Sequence, residues 1–304
     1  MRHIRVILLP LVALLLCMQG TSAHARNTHS DHALLWKING NGLTKPSYLF
    51  GTFHLLGSDY VDSLKPLWKA FNATDAMVGE IDMKNIDLQS LVKIALDTIP
   101  IKDLMSMADY HFIDSLMSAR IGLSIEMFPY MKPAMISTLI EALPYLRQMD
   151  SDSGTADAQP MDLHFQSRAR ELGHSVIGLE TATQQAHILF DSIGVKEQAR
   201  ELVEMAHLMI HDTSSGMDLE HCYDTEDLPC IAKSELDGSM TPRELSLLIT
   251  DRNARWIPRL RELMAQQACF IAVGAGHLVG PGGLIELLSK QGYSVTPIHV
   301  HSQK

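Results

Sequence analysis

Apolar and polar positions along this chain follow two periods, and the switch between them marks out its elements. Leu34-Leu35-Trp36-Lys37-Ile38 alternates as a strand does, Asn39-Gly40-Asn41-Gly42 is turn chemistry, and Ser47 to Phe50 returns as the next strand. Together they predict a β-hairpin with a rather long loop. Tyr48-Leu49-Phe50-Gly51-Thr52-Phe53-His54 is an apolar run that meets a glycine and stops at a histidine, the pattern of a buried strand reaching its carboxyl end. Leu64, Leu67, Trp68 and Phe71 recur at helical spacing, and Ala76 to Ile81 is a second buried strand with Glu80 at its end. The order strand, helix, strand predicts a parallel pair.

From Leu88 to about Met149 the pattern is helical and rich in Met and Leu, broken by Pro129, Pro133 and Pro144. Methionine fills gaps in cores, and in an exposed groove it also suits a peptide ligand; both readings fit this segment. Asp150 to Gln159 has loop composition. A helix from Asp162 to Leu172 leads to the strand Ser175-Val176-Ile177-Gly178-Leu179-Glu180, which again ends on an acid. Helical stretches follow over Gln184–Met209 and Pro242–Met264, the second carrying Arg252-Asn253-Ala254-Arg255-Trp256. Cys269 to Val273 is fully apolar and runs through Gly274-Ala275-Gly276 to His277. A helix over Leu284–Lys290 and a strand over Val295–Val300 complete the chain.

The pattern predicts an α/β fold built from two α/β halves, each with a strand–Gly-x-x-His element, and a helical insertion at about residues 88–150 between them. Ligands of open α/β sheets bind at the carboxyl ends of the strands. His54, Glu80, Glu180 and His277 are therefore expected to face one cleft.

Residues 1–25 change the picture of the amino terminus. Arg2 and Arg5 precede an apolar core, and Ala23-His24-Ala25 is an A-x-A cleavage pattern. These are the parts of a secretory signal peptide, with an apolar core too short to span a bilayer. Cys17 lacks the small preceding residue that a lipoprotein signal requires, so export without lipidation is expected, to the periplasm or the cell exterior. The remaining domain is residues 26–304. The whole chain carries a formal charge of −10, and loss of Arg2 and Arg5 makes it −12. A nucleic-acid partner is not expected of so acidic a protein, and no later run is long and apolar enough to span a membrane. Cys222 and Cys230 flank a short polar loop containing Asp224, Glu226 and Asp227; a disulfide is expected there, with a metal pair as the rival.

Two imidazoles with one or two carboxylates suit a first-row divalent metal, which ionises bound water and polarises a carbonyl. Mn²⁺, Co²⁺ and Zn²⁺ are not separated by such ligands. His54, Glu80 and His277 are the candidate metal ligands, Glu180 the candidate general base or orienter, and Arg252 the candidate partner of a substrate carbonyl or carboxylate. Asp162, His164 and Asn253 are candidate substrate contacts. Each has a plainer reading: the histidines as hydrogen-bonded structural residues, the acids as partners of arginines or helix caps, Arg252 on a solvated helix face, and Asp162 with His164 as a helix start. A non-catalytic peptide- or haem-binding protein is the alternative function, with one histidine as axial ligand.

Taken in order, Leu35-Trp36-Lys37-Ile38, Ser47 to His54, Gly79-Glu80-Ile81-Asp82, Gly178-Leu179-Glu180-Thr181, Arg252-Asn253-x-x-Trp256 and Val273-Gly274-Ala275-Gly276-His277-Leu278 resemble the TraB/GumN family, which includes the TIKI metalloproteases. The resemblance implies an α/β fold related to erythromycin-esterase-like and haem-binding ChaN-like proteins. It also implies a divalent-metal-dependent peptidase acting on a peptide or protein substrate, with His54, His277 and Glu80 at the metal. Glu180 and Arg252 match further motif positions. Phe53 stands where many relatives have Met.

Overall fold

The computed structural model describes residues 33–53, 56–152, 159–211, 221–231 and 242–301. Its strands are β1 (Leu35–Gly40), β2 (Ser47–Thr52), β3 (Ala76–Gly79), β4 (Ser175–Gly178), β5 (Cys269–Gly274) and β6 (Tyr293–Ile298). Its main helices are α1 (Ser58–Asp62), α2 (Lys65–Phe71), α3 (Leu88–Ile94), α4 (Met107–Ile121), α5 (Pro133–Asp152), α6 (Met161–Glu171), α7 (Ala182–Asp191), α8 (Val195–His211), α9 (Asp251–Gln266) and α10 (Leu284–Lys290). The chain divides into two compact units. One holds the described parts of Asn85–Asp157 and Ala182–Ser214, the other those of Leu16–Lys84, Ala158–Thr181 and Ser215–Lys304.

The second unit is a mixed α/β layer around one six-stranded sheet, ordered β4-β3-β5-β2-β1-β6. The hairpin β1–β2 is antiparallel, with Leu35 opposite Phe50, and β6 pairs antiparallel to the other edge of β1. The strands β4, β3, β5 and β2 run parallel. The expected β2–β3 pair is parallel in direction but not adjacent, because β5 lies between them and bonds to both. All six β5 residues are buried, and so fully apolar a strand belongs at the centre of a sheet covered on both faces. That demand overrides the tendency of consecutive strands to be neighbours. Phe50, Phe71, Phe165 and Phe270 form the aromatic middle of the core, with ring centroids 5.0–6.3 Å apart.

The disulfide between Cys222 and Cys230 is formed. The acidic loop it closes is not simply solvated. Glu226 is buried, and its carboxylate accepts from the backbone N–H groups of Leu34, Val300 and His301. The neighbouring Tyr223 hydroxyl donates to the Gly51 carbonyl at 2.5 Å, so the disulfide-closed segment is tied to the end of β2.

The other unit is helical. Ser106 caps α4 by accepting from Asp109 N–H, and Gly122, at φ 66°, ends it in the left-handed conformation that favours glycine. Buried Lys132 pairs with Asp191, which also holds His187 at 2.6 Å. Among the described residues no helix is long and apolar enough to cross a membrane.

Candidate functional site

The ends of β3, β4 and β5 supply the site. Parallel bonding between β3 and β4 continues past the strands, with Leu179 N–H donating to Gly79 O and Glu180 N–H to Glu80 O, both at 2.9 Å. Glu80 and Glu180 therefore emerge side by side. Gly178 permits this approach: a Cβ there would stand 2.8 Å from Asp82 N and 2.9 Å from Glu180 O. Two neighbouring carboxylates in a largely dry place require a cation, and α9 delivers one.

Arg252 lies in the first turn of α9, after a five-residue π turn over Ser246–Thr250. Its Nη2 donates to Glu80 Oε2 at 2.5 Å and to Glu180 Oε1 at 2.6 Å, and its Nε donates to Glu180 Oε1 at 3.0 Å. Its Nη1 donates to Leu248 O at 2.9 Å and meets His277 Nε2 at 3.0 Å. These five contacts match the five N–H donors of a guanidinium. Trp256, one helical turn on, lies under the guanidinium at 4.8 Å and against the His277 ring at 4.6 Å. The buried Trp256 indole N–H has no acceptor among the described residues.

His277 follows β5 in a 3₁₀ turn. Its Nδ1 is 2.8 Å from Asn253 Oδ1. The Asn253 amide is oriented by donating from Nδ2 to His277 O and Gly282 O. An amide oxygen only accepts, so His277 carries its proton on Nδ1 and presents the Nε2 lone pair to Arg252. Glu80 Oε1 accepts from Gly274 N–H at 3.0 Å.

Burial grades the cluster: His277 and Asn253 are 0% exposed and Arg252 2%, whereas the side chains of Glu80 and Glu180 keep 7% and 6%. The carboxylates form its wetter edge and the imidazole its dry back. Burial pushes the Glu180 carboxyl above the usual carboxylate range, against the pull of Arg252. Burial works against the charge on Arg252, but Glu80 and Glu180 more than offset it and its pKa is raised. It stays protonated at any working pH.

Of the residues singled out in the sequence, the structure brings Glu80, Glu180, Arg252, Asn253 and His277 together. His54 lies outside the described residues. Asp162 accepts from buried Thr52 at 2.9 Å, two residues before His54. His164 meets Asp62 at 2.9 Å and Gln159 at 3.3 Å, with Trp68 edge-on to its ring. Sequence reasoning gave no role to Trp256 or Leu248. The signal for the first was its i, i+4 spacing from Arg252, which puts both on one helix face.

With His54 outside the described residues, the described side chains that could donate to a divalent ion here are Glu80, Glu180 and His277 through Nε2. All three face the Arg252 guanidinium, and the second His277 nitrogen is taken by Asn253. Among the described residues no group of three or more His, Cys, Asp or Glu side chains is arranged to hold a metal. The described donors therefore do not fit a metal at this position, and His277 offers no open nitrogen to a haem iron.

Two curated proteins are similar to this chain. The Metalloprotease TIKI homolog of Amphimedon queenslandica is 24% identical over 343 residues, covering 96% of this chain and 66% of that protein. Metalloprotease TIKI2 of Danio rerio is 22% identical over 353 residues, covering 92% of this chain and 66% of its own length. The chain thus spans just under two thirds of the length of the relatives it matches. No solved structure matches it. Residues 34–297, which include every member of the cluster, match the TraB/PrgY/gumN family, and the chain belongs to it.

Proposed function

We propose that this protein is a hydrolase of peptides that works from the Glu80–Glu180 edge of the cluster. The observation that carries the reading is the pair of carboxylates side by side at the carboxyl ends of β3 and β4, one of them with a raised pKa, on a single buried guanidinium. The relatives named as metalloproteases support it. Amide hydrolysis needs a base for the attacking water and an acid for the leaving amine. Glu180 takes the water proton as the new C–O bond forms, and returns it to the amine nitrogen as the C–N bond breaks. Glu80 is the fixed anion beside it. Arg252, its donors all engaged, holds both carboxylates in place and has no N–H left to polarise a substrate carbonyl. Export belongs to the same proposal: the signal-peptide pattern of residues 1–25 and the Cys222–Cys230 disulfide both suit an oxidising compartment.

The test is cleavage of a peptide library by purified protein, read by mass spectrometry, beside folded Glu180→Gln. The expected result is cleavage by the wild type and a loss on the order of 10²-fold or more in the variant. Wild-type rates in Glu180→Gln would refute the role, and a wild type that cuts nothing would refute the activity. Loss of cleavage on chelation, restored by Mn²⁺, Co²⁺ or Zn²⁺, would extend the relatives' metal dependence to this chain.

A further inference from the structure

The cluster has the composition of a divalent-metal site but a different occupant. Glu80 Oε2, Glu180 Oε1 and His277 Nε2 are the atoms that would bind an ion, and each lies within 3.0 Å of a guanidinium nitrogen. The His277 lone pair is aimed by a second contact of its own, since Asn253, locked by two backbone carbonyls, fixes the proton on Nδ1. Trp256 closes a face of both the guanidinium and the imidazole. An ion held by these three atoms would displace the guanidinium from them and leave a permanent positive charge buried, with Leu248 O the one acceptor it keeps among those described.

We propose that Arg252 is the resident cation of this cluster, that His277 and Asn253 are positioning residues which hold it, and that the cluster excludes a divalent ion while Arg252 is present. This holds whether or not the protein hydrolyses peptides. It confines any metal the protein uses to ligands other than His277.

Two measurements on the full chain test it, neither of them an activity. In ¹⁵N-histidine NMR, with His277 assigned by comparison with His277→Gln, the wild type should show a protonated Nδ1 and a hydrogen-bonded, unprotonated Nε2. Adding Zn²⁺ should leave both unmoved, and Asn253→Leu should shift the Nδ1–H signal, which has lost its acceptor. In equilibrium dialysis with Zn²⁺, His277→Gln should bind as much as the wild type. Folded Arg252→Met should gain a site, with binding about tenfold or more tighter than the wild type shows there, because the anionic donors have lost their cation. The proposal is overturned if Zn²⁺ moves His277 Nε2 to a metal-bound shift, if bound metal is lost in His277→Gln, or if folded Arg252→Met gains nothing. Should Arg252→Met not fold, the NMR result and the His277→Gln comparison decide alone.

Discussion

Arg252→Met should be among the most damaging single substitutions in the sheet unit, with a pH signature that ordinary core damage lacks. The side chain is 2% exposed, and its removal leaves Glu80 and Glu180 side by side without their cation. Breaking a buried ion set by deleting one partner costs about 3–5 kcal/mol, and losing the Trp256 stack adds about 1 kcal/mol. The native variant escapes part of this by protonating its carboxylates, so their folded pKa values lie above the unfolded Glu value. Such groups contribute stability below the unfolded value and lose it as pH rises through the folded one. The deficit should therefore be largest at mildly alkaline pH, about 4–6 kcal/mol, and should shrink towards about pH 5. Urea denaturation followed by tryptophan fluorescence, with chelator present so that no ion replaces the guanidinium, measures it. Adding Glu180→Gln should restore part of the loss at alkaline pH and little at acid pH. A deficit below about 1 kcal/mol, or one independent of pH, would refute the claim that Arg252 holds two buried anions.

Other outcomes follow from single groups. In the helical unit, burial pushes the Glu141 carboxyl up to about 8, against the opposing pull of Arg120. Its stabilising contribution is present below the ordinary Glu value and lost as pH climbs through about 8, so Glu141→Gln should be near neutral in acid and stabilising on the order of 2–4 kcal/mol at about pH 9 by denaturant titration. Replacing Cys222 and Cys230 by Ser should cost about 2–3 kcal/mol, the loop-closure value for so short a ring, measured by thermal unfolding under non-reducing conditions. Burial, with Asp75 nearby, raises the Cys269 thiol to about 12. It should resist alkylation in the native protein and react on unfolding; fast native labelling counted by mass spectrometry would contradict its burial.

The strands were legible because their signals are local. Apolar runs ending in Gly-x-x-His, Gly-Glu or Gly-x-Glu are visible within a few residues, and β2, β3, β4 and β5 lie where those runs fall. The order of strands was not legible. That β5 separates β2 from β3 depends on which strand must be dry on both faces, a competition decided across the whole sheet. Arg252 shows the same limit at the site. In a helix an arginine reads as solvent-facing, and here it is buried because Glu80 and Glu180, 172 and 72 residues earlier, meet it. Glu226 likewise reads as loop charge until the amides of Leu34, Val300 and His301 come to it. In each case a charged side chain is buried by partners that no local window contains.

The span of the Arg252 contacts sets an order of events during synthesis. Glu80 and Glu180 leave the ribosome well before their cation, and His277, its last acceptor, follows 25 residues later. Until then β3 and β4 can pair only by keeping two carboxylates in water or protonated, so their carboxyl ends cannot close. The central strand β5 is made at the same late stage and bonds to both neighbours at once. Closing so long a loop is entropically slow. A nascent chain halted before Arg252 would hold both carboxylates of the cluster without the cation that buries them, and the full set of Arg252 contacts is complete only once synthesis has passed His277.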